Sequence, residues 1–487
     1  MSFKIKAAGS AALAALFVSS AALAQTTTPS PVLYGGGATL PATAYNGSNI
    51  YDVTPTARLS APNGALNPGF TFVPVESTSL FGAYKLSPPA RGTTSRPDTS
   101  YCGTGSGQGR RTFIGQTGSG TAGGSTGNNF ADGICRDYGP TAPAGFSAPA
   151  GQRAPHFAAT DQPLSAGELS TFTTNYGTSR TAAVQFPTLA GAIAVTFKNN
   201  DISPSRIVVF TESQVCQIFS GAISNWSQLG FPSKAIKVVY RTDGSGTSFS
   251  MSNHLSAVCP TAVPNAVAGF STQGTFLAAF PGGTAPAGAI GGNGNPGATN
   301  AIAANDGAIG YAELSDGLSK NSVGANSVAF ATLKKQPDRA AVKGVSPAAK
   351  FKEYSPLSLK SPFKLPATGA LFEGVVVGPN DGNGRPTLVA ATTQVPACLK
   401  VVDPNAYATP ALNAKGDYAA YPIVAITYLL AYNTGNGADA ANIADLVAAP
   451  FYGAVKNSTS SVGTGTGFGF LAGIPNQRNF IKGCITP

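Results

Sequence analysis

Apolar and polar positions change period along this 487-residue chain, and the changes mark its elements. Ile236 to Tyr240 is a continuous β-branched and aromatic run, which predicts a buried strand. Beyond Asp243-Gly244 the spacing lengthens. Phe249, Met251, Leu255 and Val258 fall roughly three and four apart, which predicts a helix. Val32 to Pro41 reads as a strand, a triple-glycine turn and a helix start. Phe70 to Val75 alternates like a strand. Pro155 to Ser165 predicts a short strand, then Asp161, then a helix opened by Ser165 with Glu168 at the capping-box position. Thr211 and Gln214 make a second box, ahead of Val215, Ile218 and Phe219 on one helix face. Val184 to Phe197 is a long apolar passage, and Asp306 to Tyr311 a turn and strand. Tyr421 to Leu430 is a late strand. Pro281 to Asn300 reads as a Gly/Pro-rich loop, and Gly115 to Pro149 as a Gly/Ser-rich surface insertion. Trp226, the single tryptophan, is expected in the core.

Strands delivering the chain to helix starts predict an α/β fold. The length exceeds one ordinary core, so two lobes or more are expected. Residues 1–24 read as a cleaved signal peptide: Lys4 and Lys6 lead an apolar run that ends in Ala22-Leu23-Ala24. No cysteine follows that site and no second run of spanning length appears, so a periplasmic or secreted protein is expected. Six cysteines in an exported chain predict disulfides, with fifteen pairings open. Sequential pairing is expected: Cys102–Cys135, Cys216–Cys259 and Cys398–Cys484. There is no C-x2-C, and His156 and His254 stand apart, so neither a metal nor a cofactor is expected. The formal charge is +10, but only 11% of residues are charged and no Lys/Arg run exists. That speaks against nucleic acid and suits a small anion or a cell surface.

The candidate chemistry lies where strands meet glycines. After Arg241 comes Thr242-Asp243-Gly244-Ser245-Gly246-Thr247-Ser248, at a predicted helix N-terminus. The first N–H groups of a helix lack internal partners, and the helix dipole is positive there. Glycine lets an anion come close, Ser245 and Thr247 add hydroxyls, and Arg241 adds a planar cationic fork. Together these make an oxyanion site, one without the lysine of a P-loop. Gly35 to Pro41 is a second such nest, and Tyr101 to Gly107 a third, with Arg110 and Arg111 behind it. Gly123 to Gly127 matches G-x-S-x-G in form but has neither the strand nor the helix that a nucleophile elbow needs.

These stretches resemble the signatures of the periplasmic phosphate-binding proteins of ABC transporters. Arg241 to Ser248 is similar to Arg-x-Asp-Gly-Ser-Gly-Thr-Ser, and Gly35 to Pro41 to the first signature of that family. Leu40, where transporter receptors commonly have Phe, resembles the DING branch, although Asp-Ile-Asn-Gly is missing from the opening. The stretch around Ser106 resembles Gly-x-Gly-Ser-Gly, and that around Asp161 resembles Gly-x-Ser-Asp-x-x-Leu, with Ala159 and Thr160 replacing the usual Gly and Ser. Val184 to Phe197 resembles the first crossing between lobes, and Phe219 to Trp226 the motif Phe-Ser-Gly-x-Ile-x-x-Trp. The resemblance implies two α/β lobes of the type II periplasmic binding protein fold, with the ligand in the cleft between them. It places lobe 1 at 31–190 plus about 345–487 and lobe 2 at 191–344. It implies inorganic phosphate as ligand, held by Thr39, Leu40, Ser106, Asp161, Arg241, Ser245, Gly246 and Thr247. It also implies a monomer that hands phosphate to a membrane permease. Two other readings stay open: a secreted phosphatase of DING-like type, and a surface or matrix protein that uses its Gly/Ser loops.

Overall fold

One fully buried 15-residue strand ties the fold together, and the elements before and after it pack on its two ends. The structure, a computed structural model, describes residues 32–47, 75–88, 96–116, 155–203, 205–262, 269–320, 327–335, 352–359, 361–364, 371–393, 395–409, 420–472, 474 and 477–487. The expected signal peptide, most of the Gly/Ser-rich insertion, and nearly all of the expected strand at Phe70–Val75 lie outside them.

Strands β1 (Val32–Gly37), β2 (Asp98–Gly103) and β3 (Phe157–Thr160) run parallel, with β1 in the middle. The long strand is β4 (Ala183–Phe197). Beyond it come β5 (Lys237–Arg241), β6 (Ile290–Gly292), β7 (Ala308–Glu313) and β8 (Val424–Tyr432). Residues Ala183 to Ala192 of β4 pair antiparallel with β8, which also pairs with β3. Residues Ile193 to Phe197 pair antiparallel with β7. In turn β7 is parallel to β5, and β5 to β6. The order is β2-β1-β3-β8-β4-β7-β5-β6. Thus β4 is shared by two α/β lobes, and its side chains are covered on both faces. That is why its sequence is a continuous apolar run with no alternation.

Local signals place the helices. The first is the short α1 (Ala42–Asn46) after β1, and α2 (Ser106–Phe113) follows β2. Both capping boxes form. Ser165 opens α3 (Ala166–Tyr176) with Glu168 reaching back, and Thr211 opens α4 (Glu212–Ser220) with Gln214. The helix after β5 is α5 (Gly246–Ala262). Trp226 is fully buried and its Nε1 donates to the Gly307 carbonyl at 3.0 Å. Among the described residues no helix is long and apolar enough to cross a membrane.

The stretch Pro281–Asn300 corrects its composition. It holds β6 and the greater part of a helix, α6 (Gly294–Ala304). Pro296 falls in the first turn, where no N–H has an internal partner to lose. Gly292 lets the helix fold back on its strand, since a Cβ there would lie 2.5 Å from the Ala298 nitrogen.

Two of the expected disulfides form, Cys216–Cys259 and Cys398–Cys484; the third needs Cys135, which lies outside the described residues. Cys216–Cys259 fastens α4 to α5, across a sequence separation of 43 residues. Closing such a loop restricts the unfolded chain by about 4 kcal/mol in the entropy model. Cys216→Ser with Cys259→Ser should lower the unfolding free energy by up to that amount. Urea titration of both forms measures it, and coincident midpoints would contradict the expectation.

Candidate functional site

Every parallel strand named above delivers its C-terminal end toward one region. The ends of β1, β2 and β3 are stitched together there. Ala38 N–H donates to the Ala159 carbonyl at 2.9 Å, and Gly105 N–H to the Gly37 carbonyl at 2.7 Å. A helix at Leu80–Leu86 precedes β2, and β2 leads directly into α2 at Ser106. From the other lobe, β5 ends at Arg241 and α5 begins at Gly246.

The two lobes meet along glycine. Gly107 N–H donates to the Gly244 carbonyl at 2.8 Å. Gly246 rests against Asp161, where an added Cβ would stand 2.5 Å from the Asp161 Cβ. Gly105 has φ +94°, and a Cβ there would lie 2.8 Å from Asp243 Oδ2. Side chains at these positions would hold the N-termini of α2 and α5 apart. Their absence brings the Ser106, Asp161, Arg241 and Gly246 regions into one cluster.

Backbone donors surround that cluster. The N–H groups of Thr39, Leu40, Ser106, Gly246 and Thr247 find no acceptor among the described residues, although all five residues are buried. Buried N–H groups are nearly always paired, so five together point to an anionic oxygen ligand. The hydroxyl of Ser245 accepts from Ser248 N–H at 3.1 Å as the cap of α5, which leaves its proton free to donate. The Leu40 side chain packs toward Gly191, so any contact it makes with a ligand is through its backbone.

Arg241 is 1% exposed. Its Nε donates to Asp243 Oδ1 at 2.6 Å, its Nη2 to Asp243 Oδ2, and its Nη1 to Asn295 Oδ1. Gly294 N–H also donates to Asp243 Oδ1, at 2.9 Å. Burial works to raise the Asp243 carboxyl, but the guanidinium overcomes this and holds it below the usual carboxylate range. Three of the five guanidinium N–H groups are thereby used, and one remains on each terminal nitrogen. Arg110 is committed elsewhere, to Glu168 at 2.7 Å and to the Thr160 hydroxyl at 3.0 Å.

Asp161 faces the donors as the one acceptor of the set. Ser106 Oγ donates to its Oδ2 at 2.9 Å and Thr427 Oγ1 to its Oδ1 at 2.9 Å. Burial is the chief influence and pushes its pKa up to about 6, while the two hydroxyls, Arg241 and Arg110 pull it back. Asp243, Asn295 and Thr427 were not singled out from sequence. Asp243 sits inside the Arg-x-Asp-Gly motif, and its pairing could have been read there. Thr427 is the polar position in the apolar Tyr421–Leu430 run, a weaker signal. Asn295 lies in the stretch that composition assigns to a loop and carried no signal. Among the described residues no group of three or more His, Cys, Asp or Glu side chains gathers as metal ligands would.

Residues 81–361 match a family model described as the PBP superfamily domain. The chain is 33% identical over 160 residues to alkaline phosphatase L of Pseudomonas aeruginosa, covering 32% of this chain and 41% of that protein. It is 31% identical over 171 residues to the phosphate-binding protein PstS of Xylella fastidiosa, covering 33% and 41%. The matched stretches thus span about two fifths of these relatives. Among solved structures, a phosphate-binding protein from Stenotrophomonas maltophilia superposes with TM-score 0.53 at 23% identity over 93% of both chains. A periplasmic phosphate-binding protein, PfluDING, solved with phosphate, superposes with TM-score 0.52 at 22% identity over 92% of both. These likenesses establish the two-lobed fold.

Proposed function

This chain belongs to the PBP superfamily, and from that premise we propose that it is an exported solute-binding protein that holds inorganic phosphate between its lobes. The observation that carries the proposal is the set of five buried N–H groups that find no acceptor among the described residues, at the strand-to-helix turns that bring Arg241 and Asp161 together. An anion with several oxygens satisfies the donors, and one that keeps a proton satisfies Asp161 as well. Phosphate is such an anion at neutral pH. Thr39, Leu40, Ser106, Gly246 and Thr247 serve through backbone N–H, and Ser245 and Thr247 also through hydroxyls, while the Ser106 hydroxyl is spent on Asp161. Arg241 supplies charge. The relatives named for phosphate binding support this reading. Lobe 1 is taken as 31–190 plus about 345–487 and lobe 2 as 191–344. An ABC permease is the partner that such a carrier would serve.

Isothermal titration of the purified protein with sodium phosphate tests the reading. One saturable site is expected, and no saturable binding would sink it. A second reading, hydrolysis of phosphomonoesters, is favoured by the likeness to a protein named as an alkaline phosphatase. Its check is turnover of p-nitrophenyl phosphate with and without divalent metal. Turnover that Arg241→Ala abolishes would place hydrolysis at this site.

A further inference from the structure

Asn295 sits in the first turn of α6, fully buried, with Oδ1 on Nη1 of Arg241. Its neighbour Gly294 donates N–H to Asp243 at 2.9 Å. One helical turn therefore grips both members of the Arg241–Asp243 pair. Strand register makes this grip specific, because Arg241 lies directly beside Gly292 on β6, and α6 starts two residues later. The other end of the amide, Nδ2, is buried and has no hydrogen-bond partner among the described residues.

The charges near this point nearly cancel. Arg241 faces the carboxylate of Asp243, Arg110 faces Glu168, and Arg111 lies beside Gly244, close enough to interact with Asp243 and Glu168. Asp161 adds a further acid beside Gly246. A second carboxylate on Arg241 would leave the pair with net negative charge where an anion must bind. An amide accepts the same hydrogen bond and adds no charge.

We propose that Asn295 is a positioning residue that sets the strength of anion binding: it is the neutral acceptor that fixes the Arg241 guanidinium without drawing off its charge. This inference rests on the phosphate reading and gives α6 a part in it.

Three variants and the wild type, titrated with inorganic phosphate and melted without it, test the assignment. Asn295→Ala loses the acceptor, and affinity should fall about tenfold as Arg241 loses one anchor. Asn295→Asp keeps the acceptor but buries a second carboxylate on a guanidinium already paired with Asp243, so it should lower the stability of the ligand-free protein, and affinity should fall about a hundredfold through the added charge beside Arg241. Asn295→Asp with Asp243→Asn exchanges the carboxylate and the amide around Arg241, and should recover most of the affinity that the single Asp variant loses. A merely structural role predicts the opposite pattern, with Asn295→Asp binding like wild type. That result, or an Asn295→Ala variant with unchanged affinity, overturns the inference while phosphate binding stands. Failure of the wild type to bind phosphate overturns both.

Discussion

Arg241→Ala should weaken phosphate binding by about a hundredfold or more and destabilise the protein at the same time. The two N–H groups left on its terminal nitrogens are the donors that an anion would take. Charge-assisted hydrogen bonds contribute about 1.5–3 kcal/mol each, so losing two corresponds to a factor of about 10² to 10⁴. The loss of stability follows from the pairing of Arg241 with Asp243. Both partners are buried, and removing one leaves a carboxylate with no cation beside it. Breaking such a pair typically costs about 3–5 kcal/mol.

The two effects can be separated. Arg241→Ala with Asp243→Ala removes the stranded charge, so stability should recover in part while phosphate affinity stays low. Urea unfolding and phosphate titration on wild type, single and double variants are the measurements. A folded Arg241→Ala variant that binds phosphate as the wild type does would remove Arg241 from the site. If the double variant proved no more stable than the single, the buried-charge explanation would fail.

Most of what positions this site could be read from the chain. The β5 strand, the α5 start and both capping boxes stand where apolar spacing and side-chain oxygens place them, because those signals are local. Arg241, Ser106 and Asp161, which the fold brings into one cluster, are singled out by motifs that place glycine and hydroxyl donors after a strand. What the sequence hid is set by long-range pairing. Thr427 reaches Asp161 only because β8, about 266 residues later, lies beside β3. Asn295 reaches Arg241 only because β6 adds to the edge of β5. The Pro281–Asn300 stretch hid α6 because glycine and proline there serve helix entry and close packing, the same residues that mark a loop. Composition cannot distinguish those uses. The lobe contact at Gly246 was legible as a nest but not as a point of contact, since nothing in a motif says what it will touch.

Asp161→Asn should narrow the preference for phosphate over sulfate and stabilise the ligand-free protein at neutral pH. Every other group proposed for the site can donate, and either anion accepts. Asp161 alone, when ionised, has no proton to give, so it accepts the one that phosphate keeps and repels the bare oxygens of sulfate. A site built on such a bond can reject the analogue without it by about 10⁴–10⁵. An asparagine can turn its N–H toward a sulfate oxygen, so sulfate should gain where phosphate loses. The stability effect follows from burial. An unfolded aspartate titrates near 3.9, whereas burial pushes Asp161 up to about 6 despite its bonds from Ser106 and Thr427. Between those pH values the folded protein holds a proton that the unfolded chain has released. Stability from this group is therefore greatest below about pH 4, falls as pH rises to about 6, and stays lower above it, by about 3 kcal/mol in all. The Asn variant has no such slope, so at pH 7 it should unfold at higher urea than the wild type, with the gap closing at pH 4. Phosphate affinity of the wild type should also decline as pH falls through about 6, because a protonated Asp161 no longer accepts from the ligand. Competition titration with both anions, and urea unfolding at pH 4 and 7, are the measurements on both proteins. Equal affinity of the wild type for sulfate and phosphate would remove phosphate as the ligand. An Asn variant with unaltered discrimination would remove Asp161 from the site, and one with an unaltered pH slope would place the burial cost on another group.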